Sequence, residues 1–461
     1  MPPLSALLDA TLCAVDRRYA LPATPVSSAG THDPDPATAI ALVIEQIRAD
    51  AARGGPPDAA LGRLFTEALA RLIHGAVHPR HGDPVFQAMV LRHRTAPVRE
   101  YASLSAHAGQ DRRAVHAAVN AIAHPAKQQR MPQGPHRAAL ERLHAAAAVE
   151  SWTALADIAR ETLATPEIPQ EPPVRPALTK LLDGPALSRL MRLDVLSRDE
   201  NVRRYQALWD RQGPRSGSAA AAASGSASRQ RGAAVEAMAA QALGAWARRL
   251  GARSGGQFRV VTSLRVPAAI PGNAERAKTE WDAVLLRQAE PAGATPLWDV
   301  CLLVEAKASV DAAATDLPRL LRGLRLLAHA DGDAVYPFDS QQGTVRLRGA
   351  SLRALGTAPA ELARTVLYCC DAPADASPRL LSAAGRMQLL SAQGSLDFAA
   401  RLADGQAAQP SELEPVWHQL LEQREWHAVL NQYPLLRQAR ALMVHADDLL
   451  RAVDAAPRQT P

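Results

Sequence analysis

A chain of 461 residues, 47% of them hydrophobic, is long enough for two or three packed domains and too apolar to be disordered as a whole. The formal net charge of +6 is compatible with a polyanionic partner, but nearly all basic side chains are arginines, so the position of single charges says more than their total. The four cysteines (Cys13, Cys301, Cys369, Cys370) form no CxxC pair and three lie in or beside apolar runs, which implies reduced thiols and a cytoplasmic setting; no apolar run approaches membrane-spanning length.

Up to residue 164 the pattern is helical. The opening "MPPLSALLDATLCAVDRRYA" lacks the basic region and cleavage site of a leader and reads as a soluble helix. In "ALGRLFTEALARLIHGAV", Leu61, Leu64, Phe65, Leu69, Leu72 and Ile73 recur on one face. This defines a helical N-terminal domain, 1–164, followed by a proline-rich connector and helical segment, 165–212. Next comes a Ser/Gly/Ala tract, 213–230, with the composition of a flexible linker.

Past residue 230 the periodicity changes. "GAAVEAMAAQALGAWARRLG" predicts a helix with Val235, Ala239, Ala242, Trp246 and Leu250 on one face, ended by Gly251. "QFRVVTSLRV", "EWDAVLLRQ" and "LWDVCLLVEAK" predict three strands. "TDLPRLLRGLRLLAHA" predicts a helix capped by Thr315 or Asp316 with Pro318 in its first turn, and "RTVLYCCDA" a further short strand. The order α-β-β-β-α-β predicts a mixed α/β domain over 231–400, and 401–461 reads as a helical C-terminal region.

The second and third strands flank the turn-rich "QAEPAGATP", which predicts an antiparallel hairpin. Pairing symmetric about the midpoint between Gly293 and Ala294 sets Asp282 opposite Glu305 and Glu280 opposite Lys307. Alternation then gathers Asp282, Glu305 and Lys307 on one face with Val284, Leu286, Leu303 and Cys301; Trp281, Ala283, Leu285, Leu302, Val304 and Ala306 take the other. Two carboxylates facing each other with Cβ atoms about 5 Å apart repel unless a cation sits between them. Oxygen ligands with open positions suit Mg²⁺ or Mn²⁺, since no His/Cys cluster accompanies the pair. Lys307, one of only four lysines, would stand beside the metal and orient or help deprotonate an attacking water.

With Asp282 as first acid, Glu305-Ala306-Lys307 as an ExK element and that element order, residues 231–372 resemble the PD-(D/E)XK nuclease superfamily. The resemblance implies a restriction-endonuclease-like core flanked by all-α regions, metal-dependent hydrolysis of DNA phosphodiesters with RNA also open, and catalysis by Asp282, Glu305 and Lys307. It further implies an upstream helix glutamate as a metal ligand, the position held by Glu236. The proline often found before the first acid is replaced by Trp281. The alternative is a nuclease-like fold used as a nucleic-acid-binding or assembly module without turnover, as a monomer or an oligomer.

Arg319, Arg322 and Arg325 form a basic stripe opposite Leu320, Leu324 and Leu327, read either as a phosphate-contacting surface or as a solvated helix face. His74, His78 and His81 are close enough in sequence for a metal site but lack an adjacent glutamate, and surface histidines are the simpler reading. Arg92, His93, Arg94, Arg99, Arg112 and Arg113 read first as a solvated face. No GxSxG elbow, P-loop or dinucleotide fingerprint is present.

Overall fold

The computed structural model describes residues 6–21, 35–55, 58–165, 174–213, 218–289, 295–374 and 379–455. They fall into two compact units, one of Met1–Leu72, Ser216–Leu389 and Gln409–Pro461, the other of Ile73–Arg215 and Leu390–Ala408. The expected domain limits therefore shift. Residues 1–72 group with the α/β unit, and the 165–212 segment groups with 73–164.

The α/β unit is built on a mixed sheet whose seven described strands are β1 (Phe258–Arg265), β2 (Glu280–Gln288), β3 (Leu297–Lys307), β4 (Val335–Phe338), β5 (Val345–Arg348), β6 (Val366–Cys370) and β7 (Met443–His445). The three strands that the apolar runs predict, β1, β2 and β3, form an antiparallel meander. β3 is long enough to take two parallel neighbours along its other edge, β5 at Leu297 and Trp298 and β6 from Leu303 to Lys307. Its far end is thus held between β2 and β6, and that end carries Glu305 and Lys307.

Both faces of the sheet are covered, which explains why the strands are apolar throughout. On one face Val261, Val284, Leu286 and Leu303 pack with Leu317, Leu320 and Leu324 of the helix Val310–Leu327. On the other, Ala283, Leu285, Leu302 and Val304 pack with Ala239, Leu243, Trp246 and Leu250 of the helix Ala219–Ser254. Each fully buried leucine contributes about 1.5–3 kcal/mol, so the two layers fix the sheet firmly.

Several expectations are corrected. Residues 219–230, expected as linker, open a 36-residue helix. Ser218 caps it, its side chain accepting from the Ala221 N–H, and alanine carries the lowest helix cost of any residue. The first buried residue of that helix is Val235, so propensity and the cap support its front half while packing on the sheet anchors the rest. It also passes Gly251 and stops at Gly255, whose φ of +67° is the left-handed C-cap conformation glycine adopts freely.

The helix after β3 starts at Val310, earlier than expected, and Pro318 and Asp316 lie inside it. An antiparallel pair, β4 and β5, stands between that helix and β6. β4 lies at the end of the strand order, where Pro337 is tolerated because an edge strand needs no donor on its open side. The 401–461 region is not wholly helical, since β7 pairs parallel with β6 from Tyr368/Met443 to Cys370/His445.

The second unit is helical. Leu140, Leu143, Trp152, Leu155, Leu178 and Leu190 form its core, and Asp111 is held by a two-pronged hydrogen bond from Arg189, which keeps its carboxyl below the usual range. Its basic residues are largely engaged. His93 contacts Asp397 at 2.8 Å, Arg94 pairs with Asp404, and Arg112 pairs with Glu150 at 3.0 Å. His78 and His81 stack on each other, whereas His74 packs edge-on against Phe398, so the three do not converge.

Candidate active site

From Ala283 to Leu285 the hairpin register is the one symmetric pairing predicts. Ala283 pairs with Val304, Val284 with Leu303 and Leu285 with Leu302, so the next step outward sets Asp282 opposite Glu305. Two irregularities break the expected alternation. The register slips between Leu285 and Leu286, where Leu286 pairs with Val300, leaving Cys301 as an extra residue on β3. Cys301 consequently packs on the Leu302 side, not on the Leu303 side as expected.

The second break lies beside the acid itself. β1 pairs Thr262 with Ala283 and Leu264 with Trp281, so Ser263 faces Asp282, and Ser263 has φ of +51°. A non-glycine residue in that region costs about 1–2 kcal/mol, a strain that tends to sit where geometry serves function. Trp281 lies in the same cluster as Val284, three residues on, which strict alternation forbids.

Glu305 is the centre of the group and is 0% exposed. Its Oε2 accepts from Lys307 Nζ at 3.3 Å and stands in close contact with Lys278 Nζ, while its Oε1 has no hydrogen-bond partner. Burial pushes the Glu305 carboxyl up to about 8, with the Asp282 charge adding to the rise and the two ammoniums opposing it. Asp282 is partly exposed and its Oδ2 accepts the Ala306 N–H at 2.8 Å, which ties Asp282 to the residue between Glu305 and Lys307.

Lys307 Nζ also lies 3.5 Å from Asp316 Oδ2 and 5.9 Å from the centre of the Tyr368 ring. The Tyr368 hydroxyl donates to the same Asp316 oxygen at 3.2 Å. Burial alone would lower the Lys307 pKa, but Glu305, Asp316 and Asp282 outweigh it and the pKa is raised. Lys307 is therefore a fixed cation and hydrogen-bond donor rather than a base.

Glu236 lies on the exposed side of its helix. Its pKa is raised, first by partial burial and then by the charges of Asp282 and Glu280; the lysines Lys307 and Lys278 pull the other way. Among the described residues no three His, Cys, Asp or Glu side chains gather into a metal-holding cluster, so Glu236 does not complete a closed ligand set. Arg319, Arg322 and Arg325 are all exposed, and the Arg322 Nε donates to the Arg276 carbonyl at 2.9 Å.

No family profile, curated protein or solved structure matches this chain.

Chemistry on this chain alone decides whether a divalent cation fits. The buried Glu305 Oε1 without a partner and the like charges of Asp282 and Glu236 nearby suit Mg²⁺, which binds one or two carboxylates and takes water at its other positions. Two members escaped sequence reasoning. Lys278 was visible as one of four lysines just upstream of Asp282, but nothing in its spacing aims it at Glu305. Asp316 resembled a helix cap, and only the earlier helix start frees it for Lys307.

Proposed function

We propose that this protein is a metal-dependent phosphodiesterase of the PD-(D/E)XK type that hydrolyses nucleic acid, with DNA as the substrate. One observation carries the proposal: Asp282 accepts the Ala306 N–H, one step past the Ala283–Val304 pair, while Lys307 stands on Glu305 from the same strand. Asp282 and Glu305 would hold Mg²⁺ or Mn²⁺, with Glu236 acting through the water shell. The bound ion would polarise the phosphoryl oxygens and lower the pKa of an attacking water.

The chain's own groups supply the remainder. Lys307 donates to a water or to a non-bridging phosphate oxygen and offsets the charge that grows on it. Asp316 and Tyr368 hold that ammonium in place, and burial of Glu305 keeps bulk water from competing. The exposed arginines of Val310–Leu327 supply contacts to the substrate backbone.

A second reading has its own support. With Lys278 and Lys307 both on Glu305 Oε2, two cations already stand beside this acid, which suits a nucleic-acid-binding module without turnover. Calorimetric titration with Mn²⁺, run on wild type and Asp282→Ala, separates the two. Binding that Asp282→Ala abolishes, together with Mg²⁺-dependent cleavage by wild type alone, is expected. Retained DNA affinity with no metal binding by either protein would leave the binder.

A further inference from the structure

Lys278 lies in the segment leading into β2 and is 5% exposed, although lysine is rarely buried without a purpose for its charge. Its ammonium reaches Glu305 Oε2, the same oxygen that Lys307 touches, so both cations sit on one oxygen and the other is left without a partner. Its backbone is fixed independently. The Lys278 N–H donates to the Arg319 carbonyl at 3.1 Å, and the Arg276 carbonyl accepts from Arg322.

Both anchors lie on the helix Val310–Leu327, which comes close because residue 323 is glycine. A Cβ there would stand 2.7 Å from the Lys278 carbonyl oxygen and 2.8 Å from its Cβ. The absence of that one atom lets the helix press the 276–278 segment against the sheet and carry the Lys278 side chain to Glu305.

We propose that Lys278 is a positioning residue for Glu305: seated by Gly323, it pins Oε2 so that Oε1 is the oxygen offered to a cation. The inference rests on the metal-dependent reading of the site. A free glutamate side chain loses considerable rotamer freedom when it becomes a ligand, and Lys278 removes that freedom beforehand. The direction is distinctive, because simple charge repulsion would make loss of a neighbouring ammonium tighten metal binding.

The test uses the full chain and Mn²⁺ alone as probe. Calorimetry on wild type, Lys278→Met and Gly323→Ala should show Mn²⁺ affinity lowered about tenfold or more in both variants, the loss expected when a ligand must be ordered on binding. In Mg²⁺-dependent cleavage the metal midpoint should rise to match while the KM for DNA stays at the wild-type value, a split that general loosening of the fold would not produce. Gly323→Ala keeps the lysine and its charge, so it reads the same quantity if Lys278→Met does not fold. Wild-type or tighter Mn²⁺ binding by a folded variant overturns the positioning role. Absence of Mn²⁺ binding by wild type overturns the metal reading and this inference with it.

Discussion

Replacing Lys307 by alanine tests the reaction more directly than any other change. Lys307 Nζ lies 3.5 Å from Asp316 Oδ2, and with an effective dielectric constant of about 20 that attraction is worth roughly 5 kcal/mol before desolvation. The Glu305 Oε2 contact at 3.3 Å adds a hydrogen bond, worth less while burial keeps Glu305 protonated. Most of this is offset by the cost of burying the ammonium, and Lys278 still stands on Glu305 afterwards. The net loss of stability should be about 1–3 kcal/mol, a shift of a few degrees in melting temperature.

The catalytic effect should be far larger. Losing a positioned proton donor costs about 10²–10⁴-fold, to be read in single-turnover cleavage of a duplex in saturating Mg²⁺. Lys307→Arg sharpens the result, because it keeps the charge but replaces a compact ammonium by a broad fork in a space bounded by Glu305, Asp316 and Tyr368. It should lose nearly as much rate as alanine with less change in melting. A folded Lys307→Ala protein that cleaves within about threefold of wild type would refute the role given to this residue.

Two further outcomes are expected. Replacing Arg319, Arg322 and Arg325 together by alanine should flatten the salt dependence of DNA binding by about 2–3 in log–log slope, and an unchanged slope would make the stripe a solvated face only. Glu305 holds its proton in the folded state up to about pH 8, whereas the unfolded chain releases it at ordinary acid pH. The folded form thus binds more protons across that window. Its contribution to stability is full at low pH and is lost as pH rises through the folded pKa. Metal-free wild type should therefore lose melting temperature between about pH 5 and 8 relative to Glu305→Gln, and parallel curves for the two proteins would sink the assignment.

The part of the site that depends on pairing arithmetic was legible in the sequence. Two apolar strands flanking a single turn-rich connection define their own register, and the pairs from Ala283–Val304 to Leu285–Leu302 followed from it. The bulge at Cys301 and the strained Ser263 were not legible, because an extra residue or a positive φ leaves no trace in an apolar run. Lys278 reaches Glu305 only through the tertiary seat at Gly323, a contact between segments that share no periodicity. β7 is three residues between two helices, too short for any alternation to register, and the tract before Val235 has a linker's composition because alanine serves both helices and flexible segments.

The pairing of β6 with β7 imposes an order on synthesis. β6 is buried along its whole length, and one of its two neighbours comes from Met443–His445. At a translation rate of 5–20 residues per second, the roughly seventy residues between the two strands take about 4–15 s to emerge. Through that interval the β6 edge, "VLYCC", is an unpaired apolar strand on the ribosome, the kind of edge that seeks pairing with any other chain. Leu8 and Leu12, on the helix Ala6–Ala14, share the cluster that Val444 and Leu449 complete, so that helix also waits for β7 and the helix after it. The α/β unit therefore closes late, and crowding of nascent chains is where its folding is most exposed to error.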